Sequence, residues 1–211
     1  MKKNKFIVVE GMEGSGKTTA CKKIKEILLS KMIKNVIIVR QPGSTFISEK
    51  IRSLIKSDCK HEKLNKYSEL LLLYSARFQL LKNIIQPQLK KGNWIISDRH
   101  NLSSIAYQRG GQGIQNSLIK KLIKITNKFA KPDLTIFFDV NQKIGLKRIL
   151  FRSKLDRIEK KSYLFFSKVR KYYLRYISSE SKKIIINANL NLKIVNKILK
   201  KKLNHWLKNI K

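Results

Sequence analysis

A chain of 211 residues that is 42% hydrophobic and 9% aromatic can bury a real core and is too apolar to stay disordered. Its formal charge is +35, with 48 Lys and Arg against 13 Asp and Glu, which raises nucleic acid or an acidic membrane surface as partners. The lysines run along every predicted helix instead of gathering on one face among aromatics, so the charge reads as compositional bias and neither partner is expected.

The basic opening MKKNK leads into an apolar run that ends at Glu10, too short for a signal peptide, and a soluble cytoplasmic protein is expected. That run, FIVV at 6–9, is the first predicted strand, and a helix follows over 17–33. VIIV at 36–39 is the second strand, with helices at 45–57 and 66–90 behind it. WIIS at 94–97, LTIFFDV at 134–140 and KIIIN at 183–187 complete five strands. Helical stretches at 115–129, 141–152, 161–179 and 190–209 fill the rest. Strands without polar alternation suit a parallel sheet covered on both faces, so the expected fold is α/β and doubly wound, with five parallel strands flanked by helices. No internal repeat or Pro/Gly-rich boundary divides the chain, and residues 1–211 are predicted as one domain. Cys21 and Cys59 share no metal or redox spacing and the three histidines are scattered, which argues against zinc.

Ligands of such sheets bind beyond the carboxyl ends of the strands. Three stretches fall there: 10–18, 40–43 and 98–100. In the first, Gly11, Gly16, Lys17 and Thr18 satisfy G-x-x-x-x-G-K-[ST] between a strand and a helix, the phosphate loop of NTPases, here 11–18. Backbone N–H groups and the helix N-terminus would cradle phosphates, Lys17 would reach the β- and γ-phosphates, and the Thr18 hydroxyl would meet Mg²⁺. Arg40, at the end of the second strand, suits a second phosphate or is a surface arginine before the Pro42–Gly43 turn. Asp98 and Arg99 suit the metal shell and an acceptor phosphate, or form a local ion pair or cap. Arg148, Arg152, Lys154 and Arg157 form a basic segment at about 148–160 that reads as a lid or as a solvated face. Arg77 interrupts an apolar helix and needs a partner, either a nucleobase carbonyl or an internal ion pair. SSIAYQRGGQG at 103–113 offers hydroxyl and amide groups before a glycine-rich turn. A switch GTPase is disfavoured, because no [NT]-K-x-D segment is present.

In order along the chain, EGMEGSGKTT, RQPGST, YSARFQL, SDRHNLSSIAYQRGGQG, PDLTIFFDV, GLKR and LDRIE resemble the bacterial thymidylate kinases, a family of phosphate-loop nucleoside monophosphate kinases. The resemblance implies MgATP-dependent phosphorylation of dTMP to dTDP in dTTP biosynthesis, and commonly a homodimer. It places ATP on Gly11, Met12, Glu13, Gly14, Ser15, Gly16, Lys17, Thr18 and Thr19, with Arg148 and Arg157 from the lid. It places dTMP on Glu13, Arg40, Leu73, Arg77, Arg99, Ser103, Ser104 and Gln108. Catalysis falls to Lys17, Asp98, Arg99 and Arg152, and Mg²⁺ to Thr18 and Asp98. Glycine at 14, where some relatives carry arginine, marks the subgroup whose lid supplies the arginines. Leu73 replaces a phenylalanine that stacks on thymine, which should weaken base binding by roughly 0.5–1.5 kcal/mol. Tyr74 cannot substitute for that ring, because one helical step rotates it by about 100°. Gln41 replaces a glutamate, removing one charge near the metal or the acceptor. Kinases for other monophosphates or for deoxynucleosides remain the neighbouring readings, and a nucleic-acid binder is the reading from another class.

Overall fold

The computed structural model describes residues 4–58, 61–151 and 155–210; Cys59, Arg152 and Lys154 lie outside them. Five strands, β1 (Phe6–Gly11), β2 (Val36–Arg40), β3 (Trp94–Asp98), β4 (Leu134–Asp139) and β5 (Lys183–Asn187), form one sheet in the order β2-β3-β1-β4-β5. Every pairing is parallel. Each predicted strand is present, with ends within two residues.

The registers explain where the site lies. Asp98 pairs with both Val9 and Arg40, and Gly11 pairs with Phe138, so the carboxyl ends of β1, β2 and β3 stand side by side. The three candidate stretches therefore leave the sheet at one edge.

Among the described residues the helices are α1 (Lys17–Leu29), α2 (Phe46–Lys56), α3 (Lys66–Leu80), α4 (Gln86–Lys90), α5 (Asn101–Ser104), α6 (Asn116–Asn127), α7 (Gln142–Leu150), α8 (Tyr163–Ser178) and α9 (Leu192–Asn209). Successive strand residues point to opposite faces, and both faces are covered. Ile7, Val9, Trp94 and Ile96 pack with Ile24 and Leu28 of α1 and Leu199 and Leu203 of α9. Phe6, Val8 and Ile95 pack on the other side with Leu80, Leu81 and Ile85. Burying each such side chain contributes about 1.5–3 kcal/mol, which is why the strand sequences are apolar throughout and do not alternate. β5, at the sheet edge, buries only Ile184 and Ile186.

Two helical regions differ from expectation. The helix predicted over 66–90 is interrupted by a π-helical turn at Leu81–Ile85. Pro87 follows it and supplies no amide hydrogen to the preceding turn, and the wider turn lets the adjacent Leu80 and Leu81 both reach the core. The glycine-rich segment expected as a turn is helical: α5 runs into a π-helical stretch at Ile105–Gly111. Its glycines are there for close approach, since a Cβ on Gly110 would lie 2.6 Å from Tyr172, and one on Gly111 2.4 Å from Phe165, both of α8. No helix among the described residues is long and apolar enough to cross a membrane.

Candidate active site

β1 delivers the chain into the phosphate loop and α1 leaves it at Lys17. The Lys17 ammonium folds back over the loop, donating to the Met12 carbonyl at 2.6 Å and the Ser15 hydroxyl at 3.4 Å. Burial, and after it the Arg99 guanidinium, push its pKa down to about 8, against the pull of Asp98, Glu13 and Glu10. No carboxylate sits at ion-pair distance among the described residues, so a polyanion entering the loop would be its first strong partner. The linkage has a definite sign. A bound triphosphate holds Lys17 charged, whereas the empty loop loses that proton above pH 8, so binding there must take a proton up. ATP affinity is expected to be flat below pH 8 and to fall about tenfold by pH 9. Calorimetric titration at pH 7, 8 and 9 checks this, and a constant Kd across that range would refute it.

The outer lip of the loop is held by α7. A Cβ on Gly14, at φ +71°, would lie 2.2 Å from the Gly145 carbonyl oxygen, and one on Gly145 would lie 2.8 Å from the Glu13 carbonyl oxygen. The two backbones touch, which accounts for the glycine at 14. One turn further along α7, Arg148 donates to the carbonyls of Gly14 at 3.3 Å and Ala188 at 2.8 Å. Gly145→Ala should wedge helix and loop apart. Overpacking of this kind costs about 1–3 kcal/mol, and the expected readings are a lower Tm and at least tenfold weaker ATP binding. Unchanged ATP affinity would show that the contact is dispensable.

Thr18 Oγ1 donates to Asp98 Oδ2 at 3.0 Å, placing a hydroxyl and a carboxylate together beside the loop. Both are hard oxygen donors, the set that suits Mg²⁺ alongside water and phosphate oxygens. Among the described residues no group of three His, Cys, Asp or Glu could hold a metal without such help.

Arg99 is the hub of a hydrogen-bond network at the edge of the loop. Its backbone takes φ +75°, and its Nη1 donates to the Gly11 carbonyl, the Ser103 hydroxyl and the Tyr173 hydroxyl, each at 3.1 Å. Its Nη2 pairs with Glu13 at 2.7 Å, and Glu13 also accepts a short hydrogen bond from Tyr107. Behind it lies Glu10, fully buried, accepting from the His100 amide at 2.8 Å, the Ser103 hydroxyl at 2.6 Å and Tyr173 at 3.2 Å. Burial raises the Glu10 pKa against these donors. The sequence signalled Glu10 only as an acid at a strand end in an acid-poor chain; Tyr173, from α8, had no signal.

Arg40 stands at the mouth, gripped by Glu49 at 2.9 and 3.3 Å. Arg77 is buried and donates to Gln41 at 2.8 Å, Asn101 and Ser104 at 3.0 Å, and the His100 carbonyl at 3.1 Å, none of them a carboxylate. Its guanidinium lies 4.4 Å from the centre of the Tyr74 ring, so Tyr74 serves the arginine while Leu73 faces the cleft. Gln41 is wedged between Arg77, Ser97 and His100, which puts the missing charge beside Arg77 and not beside the metal donors. Ser103, Ser104 and Gln108 are also buried, and their side chains bond to Glu10, Arg77 and Glu69.

Arg157 departs from expectation. It points away from the loop to Glu69 at 2.6 Å and the Ile55 carbonyl at 2.8 Å. Glu69 is only 2% exposed, and a buried carboxylate needs a cation close by; Gln108 and Gln112 donate to it as well. The neighbouring Asp156 pairs with Lys56 of α2 at 2.6 Å. These contacts dock Asp156 and Arg157 onto α2 and α3. Arg148 is the described basic residue of that region that touches the loop.

A cleft of about 710 Å³ is lined by Glu13, Gly14 and Gly16 to Thr19 of the loop and by Arg40, Leu73, Asp98, Arg99 and Arg148, together with Arg52, which the sequence reading overlooked; Arg77, Ser103, Ser104 and Gln108 lie buried and are not among its lining residues. The thymidylate kinase family model matches residues 9–198. The chain is 56% identical over 207 residues to the thymidylate kinase of Buchnera aphidicola subsp. Schizaphis graminum, covering 98% of each. It is 44% identical over 207 residues to that of Vibrio parahaemolyticus, covering 98% of this chain and 99% of the relative. The crystal structure of thymidylate kinase from Ehrlichia chaffeensis superposes with a TM-score of 0.76 at 28% identity, over 97% of this chain and 99% of that one. With a phosphate loop and two strand-end arginines lining one cleft, and similarity along nearly its whole length, the chain belongs to the thymidylate kinase family.

Proposed function

We propose that the chain, acting as one kinase domain in the cytoplasm, transfers the γ-phosphoryl group of ATP to the 5′-phosphate of dTMP, giving ADP and dTDP for dTTP synthesis. The observation that carries this is one cleft lined both by a phosphate loop and by Arg40 and Arg99, with the Arg99 guanidinium bonded to the edge of that loop at Gly11 and Glu13. The acceptor is already an anionic nucleophile, so no strong general base is required. The barrier is repulsion between two phosphates and their alignment. Lys17 draws charge from the β- and γ-phosphates, while Arg40 and Arg99 hold the acceptor. Thr18 and Asp98 would hold Mg²⁺, which neutralises phosphate charge when bound. Arg77 lies buried, its guanidinium held by four neutral acceptors that leave one N–H uncommitted, and that N–H would serve the base; Leu73 supplies an aliphatic wall of the cleft in place of a ring. Arg148, which lines the cleft and bonds to the loop at Gly14, would neutralise charge on the donor phosphates.

A homodimer is part of the same reading. Phe46 and Leu54 of α2 and Leu71 of α3 are more than half exposed, an apolar face suited to a second copy. Leu54→Lys should then sediment as a monomer, and unchanged sedimentation would exclude this face.

The test of function is ADP release from MgATP with dTMP, dUMP, dCMP, dGMP, AMP and thymidine offered separately. A strong preference for dTMP is expected. Equal rates with dCMP would leave a kinase without thymine selection, and silence with every acceptor would overturn the reading.

A further inference from the structure

Gln41 is the first residue after β2 and only 3% exposed, and its backbone N–H donates to the Asp98 carbonyl at 2.9 Å. The surrounding groups settle which way its side-chain amide points. One end lies 2.8 Å from Arg77 Nε, which can only donate, so that end is the carbonyl oxygen. The other end lies 3.2 Å from Ser97 Oγ. Ser97 directs its single hydroxyl proton to the Arg99 carbonyl at 2.7 Å, so toward Gln41 it accepts, and that end is the amide nitrogen. The same nitrogen lies 3.1 Å from His100 Nδ1, closer than Oε1 at 3.4 Å. Nδ1 therefore accepts, and the ring proton sits on Nε2, which meets no partner among the described residues. His100 also lines a cavity of about 100 Å³ with Asn127 and Thr135, roomy enough for a water to accept from that nitrogen.

These bonds converge on Arg77. Its guanidinium is held through Nε by Gln41, through Nη1 by Asn101, and through Nη2 by Ser104 and the His100 carbonyl, which leaves one N–H on Nη1. All four acceptors are neutral, so none of them cancels the charge. A charged N–H separates base edges more sharply than a neutral one, because it attracts the O4 carbonyl of thymine and repels the N4 amino group of cytosine. Leu73 offers the base no ring to stack on, so this bond carries more of the recognition. A glutamate at position 41 would undo the arrangement. It would offset the charge on Arg77, and it has no proton to give to Ser97 or His100. Ser97 would have to release the Arg99 carbonyl, and His100 would have to carry its proton on Nδ1.

We propose that Gln41 is a positioning residue for base selection: its neutral amide orients Arg77 through Nε, keeps the His100 proton on Nε2, and leaves the guanidinium charge for a base carbonyl. The proposal rests on the dTMP kinase reading and deepens its account of the base.

Imidazole nitrogen NMR locates the His100 proton in the unsubstituted protein, and steady-state kinetics with dTMP and dCMP compare that protein with Gln41→Glu and Gln41→Met. The proton is expected on Nε2 in the unsubstituted protein and on Nδ1 in Gln41→Glu. Gln41→Glu should lower the dTMP to dCMP ratio of kcat/KM at least about fivefold, through the KM for dTMP, with the KM for ATP within about twofold. Gln41→Met keeps the bulk and removes both bonds; it should raise the KM for dTMP and leave both tautomers of His100 populated. A proton on Nδ1 in the unsubstituted protein, an unchanged dTMP to dCMP ratio in Gln41→Glu, or equal rises in KM for ATP and dTMP would overturn the assignment while leaving the kinase reading intact. The tautomer is read without any substitution, so it decides the matter even where a variant does not fold. Absence of dTMP turnover in the unsubstituted protein would overturn both.

Discussion

Lys17→Ala is expected to lower kcat with dTMP by at least about 10³-fold, and to leave the unliganded protein as stable as before or more so. The two halves come from the same geometry. The ammonium is buried against the Met12 carbonyl with no acid at ion-pair distance among the described residues, and its pKa is pushed down to about 8. Deleting a cation that the fold holds at a cost does not weaken the fold. In the proposed transfer that same cation would stabilise charge on the β- and γ-phosphates. A kinetic loss accompanied by an undiminished Tm is the signature. Near-normal turnover would remove the loop assignment, and a fall in Tm of several degrees would show that Lys17 is structural.

Arg99→Ala should be more damaging overall. The substitution removes a guanidinium proposed to hold the acceptor phosphate and strands Glu13, whose carboxylate would keep, among the described residues, the Tyr107 hydroxyl in a site where both partners are under a fifth exposed. The expected loss in kcat/KM for dTMP is on the order of 10³-fold, with stability lower by roughly 2–4 kcal/mol, less than for a fully buried pair. Arg99→Lys separates the two effects. Lysine restores the charge beside Glu13, and so most of the stability. It cannot reproduce the fork that reaches Gly11, Ser103 and Tyr173 from one nitrogen and Glu13 from the other. The lysine variant is therefore expected to fold like the parent and to remain at least about 10²-fold slow. Equal activity of Arg99→Lys and the parent would mean that charge alone suffices at this position.

Much of the catalytic frame was legible from local pattern. β-Branched runs of four to seven residues, the spacing of Gly11, Gly16, Lys17 and Thr18, and basic residues directly after strands are properties of contiguous sequence. Their physics is contiguous too: strand pleat, loop curvature and helix dipole act over a few residues. The helix ends were less legible. Pro87 marked a break that sequence periodicity ran through, and Gly110 and Gly111 read as turn residues because nothing local announces α8 lying against them.

By itself the sequence determined a five-stranded parallel sheet, a loop of phosphate-binding pattern, and arginines at the strand ends; these follow from short-range periodicity and from the rule that such sheets bind ligands at their carboxyl edge. Only the tertiary structure decided which charge meets which. It turned Arg157 to Glu69, 88 residues away, and Arg77 to Gln41, 36 residues away. It built Glu10, Ser103 and Tyr173 into the support of Arg99 and brought Arg52 into the cleft. The reason is numerical as well as spatial. With 48 basic residues and 13 acids, nearly every arginine in the sequence has many candidate roles. Proximity alone selects among them, because desolvated charges interact over a few ångströms and most of those neighbours come from distant parts of the chain.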